Sequence, residues 1–190
     1  MRISLNVNNK TENIDITGNE SLLDVLRHLG YFSAKSGGCI RGECGACTVL
    51  LNGKPVNSCM FLAVQAQGHE IETVEKFGEQ AQQGWKQTDG FDPLQTAMIE
   101  SGAVQCGYCT PAMILSAKAL LRENPNPNEA EIREALSGVM CRCTAYVKPV
   151  QAIQRAVELM AEPQNKTDLS TYEPEMLQVD DIPDMQRIGK

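Results

Sequence analysis

The chain has 190 residues, 42% hydrophobic and 22% charged, enough apolar content to pack one large domain or two small ones. A formal net charge of −7 argues against nucleic acid or an anionic membrane as partner. No stretch is apolar for long enough to cross a bilayer, and Met1-Arg2-Ile3-Ser4-Leu5 lacks the basic region and apolar core of a secretory signal, so a cytoplasmic protein is expected.

The first segment reads as β-rich. Arg2 to Val7 alternates apolar and polar residues, as a half-buried strand does. Asn8-Asn9 is a turn signal, and Thr11 to Ile16 alternates again, which predicts a hairpin. Ser21 to Leu29 is a short amphipathic helix with Gly30 as its stop. Thr48 to Leu51 and Ile71 to Val74 are further strands, and Asn52-Gly53 between strand-like runs is a tight turn.

From about Glu75 the chain turns polar, and a linker is expected at 77–91 between a first domain at 1–76 and a helical one at 92–162. Asp92-Pro93 supplies a cap and a first-turn proline for a helix ending near Ser101. Thr110-Pro111 repeats that start, and Ala112 to Leu121 is apolar nearly all round, as in a helix buried among others. Asn128 with Glu131 resembles a capping box, and Gly138 closes that helix. Tyr146 to Met160 carries Val150, Ile153, Val157 and Met160 on one helical face. The fold class is therefore α+β, with four short helices forming a small bundle. Residues 163–190 are polar, acidic and proline-bearing, and an extended arm that orders against a partner is expected there.

All eight cysteines fall into two groups of four. Cys39-x4-Cys44-x2-Cys47, followed by Cys59, has the spacing of plant-type [2Fe–2S] ligands. Three thiolates must converge from one short segment, so the backbone has to wrap around the cluster, and Gly37, Gly38, Gly42 and Gly45 permit it. Zinc also accepts four cysteines, but zinc ribbons pair two C-x2-C knuckles rather than placing three ligands in one glycine-rich loop. A Rieske centre needs two histidines, and neither His28 nor His69 is paired with the cysteines.

The second group is Cys106-x2-Cys109 with Cys141-x-Cys143. Taken alone it admits a zinc site, or a thioredoxin-like redox pair, although the latter belongs near a βαβ pattern and this one lies among helices. Cys109 immediately precedes a helix start, where the helix N-terminus favours an anionic ligand. Arg142, between two cysteines, either offsets their charge or is a solvated surface arginine.

Both groups in this order resemble the iron–sulfur subunit or domain of the xanthine oxidase family of molybdenum hydroxylases. Gly38-Cys39-Ile40-Arg41-Gly42-Glu43-Cys44-Gly45-Ala46-Cys47-Thr48-Val49 is similar to that family's ferredoxin loop. Gln105-Cys106-Gly107-Tyr108-Cys109-Thr110-Pro111 and Cys141-Arg142-Cys143-Thr144 are similar to its second-cluster motifs. The resemblance covers about residues 1–160. It implies a β-grasp ferredoxin-like domain followed by a four-helix-bundle domain, each holding one [2Fe–2S] cluster. It also implies a large partner subunit carrying molybdopterin and the substrate chemistry, and FAD on a further subunit as the usual electron acceptor. On this likeness the chain is a non-catalytic electron-transfer subunit, Cys143 and Gln105 approach the pterin edge, and the tail at 163–190 docks on the large subunit. Ile40, Ala112 and Ala145 stand where the family commonly has glycine, and Val139-Met140 where it commonly has Asn-Leu; none of these changes touches a ligand.

Two other functions fit parts of the chain. A zinc-stabilised interaction module would be colourless where an iron–sulfur protein is red-brown. A free ferredoxin shuttle would need neither the helical segment nor the tail.

Overall fold

The computed structural model describes residues 1–77 and 91–161. Most of the expected linker at 77–91 and the whole of the expected arm at 163–190 lie outside those residues.

Strand β1 (Arg2–Val7) buries Ile3, Leu5 and Val7 and turns through Asn8 and Asn9 into β2 (Lys10–Asp15). Both asparagines have positive φ, 52° and 65°, the geometry a two-residue hairpin with right-handed strand twist requires. Helix α1 (Leu22–His28) is capped by Ser21, whose hydroxyl accepts from the Asp24 N–H, and lays Leu22, Val25 and Leu26 against the sheet. The chain returns as β3 (Thr48–Leu51), turns at Asn52-Gly53, and runs back as β4 (Lys54–Asn57). Pro55 is tolerated in β4 because that strand lies at the edge of the sheet. Strand β5 (Glu70–Glu72) completes the order β2-β1-β5-β3-β4, parallel to β1 and antiparallel to β3.

The strand expected through Val74 stops at Glu72. Asn8 takes the next peptide out of the ladder, accepting from the Thr73 N–H at 2.9 Å and donating to the Thr73 hydroxyl at 2.8 Å. The chain then coils into a 3-10 turn over Val74–Lys76.

Four helices follow: α2 (Pro93–Glu100), α3 (Thr110–Glu123), α4 (Glu129–Leu136) and α5 (Val147–Ala161). Asp92 with Gln95 and Asn128 with Glu131 form reciprocal capping boxes at α2 and α4. Helix α5 begins one residue later than the apolar periodicity predicts, because Tyr146 has φ +62° and cannot be its first turn.

The described residues form two apolar cores. One lies between the sheet and α1. The other lies among α2–α5 and reaches into the sheet layer through Leu50 of β3 and Val74. Helix α3 lies against β3 and β4, and its Arg122 donates two parallel hydrogen bonds, 2.8 and 2.7 Å, to Glu72 of β5. The Glu72 side chain is 4% exposed and also meets Lys76 at 3.1 Å. Lys118 and Arg122 lie over the Phe77 ring, 5.0 and 5.8 Å from its centroid. The sheet layer is thus clamped to the bundle by an ion pair whose carboxylate is buried and whose guanidinium is partly exposed, as well as by apolar contact.

Candidate metal centres

The long connection between α1 and β3 carries Cys39, Cys44 and Cys47, and a 3-10 turn directly after β4 (Ser58–Met60) brings up Cys59. That turn is seated by Ser58, whose hydroxyl donates to the Cys47 carbonyl at 2.6 Å. The loop wraps as the sequence predicts. Backbone N–H groups of Arg41, Glu43 and Cys44 point at the Cys39 sulfur, at 3.3, 3.2 and 3.3 Å. These N–H groups, Arg41's first, hold the Cys39 thiol down at about 7. Burial pushes Cys59 up to about 11. Gly42 presents its carbonyl to the Asn57 side-chain amide at 2.9 Å, tying the loop to β4.

The second group sits at one end of the bundle. Cys106 and Cys109 both lie just before α3, with Cys109 as its N-cap residue; Cys141 and Cys143 lie in the connection from α4 to α5. The Cys106 and Cys143 sulfurs are 3.5 Å apart, and both residues are exposed. The Tyr108 N–H lowers the Cys106 thiol, while contact with Cys106 raises Cys143. Cys109 is buried and pushed up to about 12 by desolvation. Burial also pushes Cys141 upward, but the Thr144 hydroxyl and backbone N–H groups outweigh it and leave the thiol lowered.

Among the described residues no three His, Cys, Asp or Glu side chains close on one point as a single ion needs. The thiols stand instead in contacting pairs: Cys39 with Cys44, Cys47 with Cys59, Cys106 with Cys143, and Cys109 with Cys141. Two thiolates on one tetrahedral metal, with bonds of about 2.3 Å, lie about 3.8 Å apart, close to the spacing of Cys106 and Cys143. Two such pairs per site fit a two-iron cluster, in which each iron takes two protein sulfurs.

The two sites touch. The Met140 N–H, next to Cys141, donates to the carbonyl of Cys44 at 2.9 Å. The Tyr108 hydroxyl, between Cys106 and Cys109, donates to the Ser36 carbonyl at 2.8 Å. Gly45 is packed so closely on the end of α4 that a Cβ there would lie 2.0 Å from the Gly138 carbonyl oxygen.

Sequence reasoning gave Thr144 and Tyr146 no part in the sites, and Gly138 only that of closing a helix. Thr144 lies 3.1 Å from the Cys141 sulfur through its hydroxyl, and the Tyr146 hydroxyl accepts from the Cys141 N–H at 2.8 Å. Thr144 closes the quoted Cys-Arg-Cys-Thr motif, and that adjacency was the available signal. Arg142 is exposed. Ile40 and Ala145, at positions where glycine is common in the resembling family, hold the left-handed conformation with φ 54° and 51°.

A family model described as a [2Fe-2S] binding domain matches residues 73–154. The chain is 49% identical over 161 residues to the nicotinate dehydrogenase small FeS subunit of Eubacterium barkeri, covering 84% of this chain and 96% of that protein. It is 39% identical over 171 residues to an aldehyde oxidoreductase iron-sulfur-binding subunit of Escherichia coli, covering 82% and 71% respectively. A chain of quinoline 2-oxidoreductase from Pseudomonas putida 86 matches with a TM-score of 0.75 and 40% identity, over 85% of this chain and 96% of that one. The aldehyde oxidoreductase of Desulfovibrio gigas matches with a TM-score of 0.77 and 35% identity, over 89% of this chain but only 18% of that much longer one.

Proposed function

Because the chain belongs to the iron–sulfur subunits of the xanthine oxidase family of molybdenum hydroxylases, we propose that it binds two [2Fe–2S] clusters and carries electrons from a molybdopterin site on a large partner subunit towards FAD or another acceptor. Cys39, Cys44, Cys47 and Cys59 hold one cluster, and Cys106, Cys109, Cys141 and Cys143 hold the other. A [2Fe–2S] cluster takes up and releases single electrons, so a pair of them divides a two-electron oxidation into separate transfers.

The observation that carries this reading is the junction between the two thiol groups. One hydrogen bond, from the Met140 N–H to the Cys44 carbonyl, links residues that are or adjoin ligands of different sites. The residues of this chain do three things. They fix the ligands in pairs, they aim backbone N–H dipoles at the sulfurs, and they hold the two sites at one separation. Cys109 and Cys47 are buried, which keeps water from the inner side of each site, whereas Cys106 and Cys143 are exposed at the outer edge. Gln105 is exposed beside them, so Gln105 and Cys143 form the edge that meets the pterin in this reading. The opposite loop, with Gly42 and exposed Ile40 and Met60, is the side from which a flavin-bearing subunit would draw electrons. No described helix is long and apolar enough to cross a membrane. A cytoplasmic location belongs to the same reading, since eight cysteines with no disulfide among them suit a reducing compartment.

The test is metal and sulfide analysis of the purified full chain together with low-temperature electron paramagnetic resonance after reduction. About four irons per chain and two distinct reduced-cluster signals are expected. Stoichiometric zinc, or a single signal with about two irons, would overturn the reading.

A further inference from the structure

The Thr144 hydroxyl sits 3.1 Å from the Cys141 sulfur, and the residue is 8% exposed, so water does not compete for that contact. A thiolate that ligates iron carries no proton, so in the loaded site the hydroxyl is the donor. Its orientation is fixed from the other side. The Tyr146 N–H approaches the Thr144 oxygen at 3.4 Å as a donor, which leaves the hydroxyl's own hydrogen for the sulfur. Ala145 and Tyr146 form two consecutive left-handed residues, φ 51° and 62°, and fold the chain back so that this is possible. The Tyr146 hydroxyl meanwhile accepts the Cys141 N–H and anchors the ligand's backbone. Hydrogen bonds to Cys39 in the other site come from backbone N–H groups, which no substitution removes cleanly. Thr144 is a side chain, so its contribution can be deleted.

We propose that Thr144 is a positioning residue whose hydroxyl donates to the Cys141 thiolate and raises the reduction potential of the second cluster. The physical cause is simple. Reduction adds negative charge that spreads onto the sulfurs, and a fixed O–H dipole stabilises the reduced form more than the oxidised one. The effect is local, so the first cluster keeps its potential. This inference rests on the reading that Cys106, Cys109, Cys141 and Cys143 hold a [2Fe–2S] cluster.

The experiment is a potentiometric titration of the full-length chain, each cluster followed by its own paramagnetic signal, with iron content measured first. If the unaltered protein lacks two clusters, the proposed function fails, and that result is separate from any effect of the substitutions. In a protein with both clusters, Thr144→Val is expected to lower the second cluster's potential by about the equivalent of a tenfold change in its reduced-to-oxidised ratio, or about 59 mV for one electron. The first cluster's potential stays where it was, and Thr144→Ser restores the second to near its original value. Thr144→Ala gives the same shift as valine and covers the case in which valine's second methyl disturbs packing. An unshifted second potential in Thr144→Val or Thr144→Ala overturns the proposal, as does a serine variant that shifts as far as alanine. If valine and alanine variants lose the second cluster altogether while serine keeps it, the hydroxyl retains the cluster rather than tuning it, and the proposal is equally overturned.

Discussion

Replacing Gly45 with alanine tests the contact between the two cysteine-bearing layers. Gly45 has φ +66°, and its position would bring a Cβ to 2.0 Å from the Gly138 carbonyl oxygen and 3.0 Å from the Val139 Cα. A carbon and a carbonyl oxygen in ordinary contact stand about 3.3 Å apart, so the two backbones would have to separate by roughly 1.3 Å. The left-handed conformation alone costs an alanine about 1–2 kcal/mol. Separation also breaks the adjacent Met140 to Cys44 hydrogen bond, 2.9 Å long, worth about 1 kcal/mol. Gly102→Ala isolates the first of these terms: Gly102 has φ +62° and nothing within 4 Å of the added Cβ. Thermal midpoints of both variants at one scan rate, with iron content, form the assay. Gly45→Ala should melt at least about 4 °C below Gly102→Ala, given about 2–4 °C per kcal/mol at this chain length. Its reduced clusters should also show weaker magnetic coupling to each other. If the two alanine variants melt together, the close approach of Gly45 to Gly138 does not hold the layers, and the reasoning from that contact is wrong.

Arg122→Met should destabilise the protein by about 2 kcal/mol, because it strips a largely buried carboxylate of its paired donor; Arg122's own partial exposure keeps the loss below that of a fully buried pair. Glu72→Gln/Arg122→Met should recover part of that loss in the same thermal assay, and a double variant less stable than Arg122→Met would count against the ion-pair account. Arg122's hydrogen bonds hold the Glu72 carboxyl below the usual carboxylate range. A depressed folded value stabilises above the unfolded pKa of about 4.3 and is lost as pH falls towards the folded one. The gap in melting midpoint between the native chain and Glu72→Gln should therefore be widest near neutrality and narrow below about pH 4.3; a gap independent of pH contradicts it. Ile40→Gly should stabilise the chain by about 0.5–1 kcal/mol, since a β-branched residue at φ 54° and 66% exposed gives up strain and little burial on replacement. A lower midpoint for that variant at unchanged iron content would show that Ile40 packs against something the exposed position conceals.

The local chemistry of this chain is plain in its sequence. Asn8-Asn9 and Asn52-Gly53 turn where their residue types allow positive φ. Asp92 and Asn128 cap helices through partners three positions on, within reach of any local reading. The Cys39-x4-Cys44-x2-Cys47 spacing suggests a ligand loop because it is itself a statement about one short segment, whereas the spacing of Cys106, Cys109, Cys141 and Cys143 alone leaves their chemistry open. What the sequence withheld is long-range or energetically unfavourable. Cys44 and Met140 are far apart along the chain, and no periodicity couples them. Gly45 looks like a loop glycine chosen for wrapping, whereas its crowding against α4 comes from the other layer. Ile40, Ala145 and Tyr146 adopt a conformation their side chains disfavour, so propensity points away from it. Thr144 carries no distinguishing mark beyond its neighbours, since a threonine after a cysteine is equally at home as packing.

Helix α3 is a single rod of 14 residues, about 21 Å from end to end. Cys109 stands at its head, and near its foot Arg122 grips the sheet. Among the described residues, a rod tied to the other layer near both ends, through Tyr108 beside its head and Arg122 near its foot, resists rotation of one layer against the other. If the two thiol groups hold clusters as proposed, such a rod limits how far thermal breathing can change the gap an electron would cross between them.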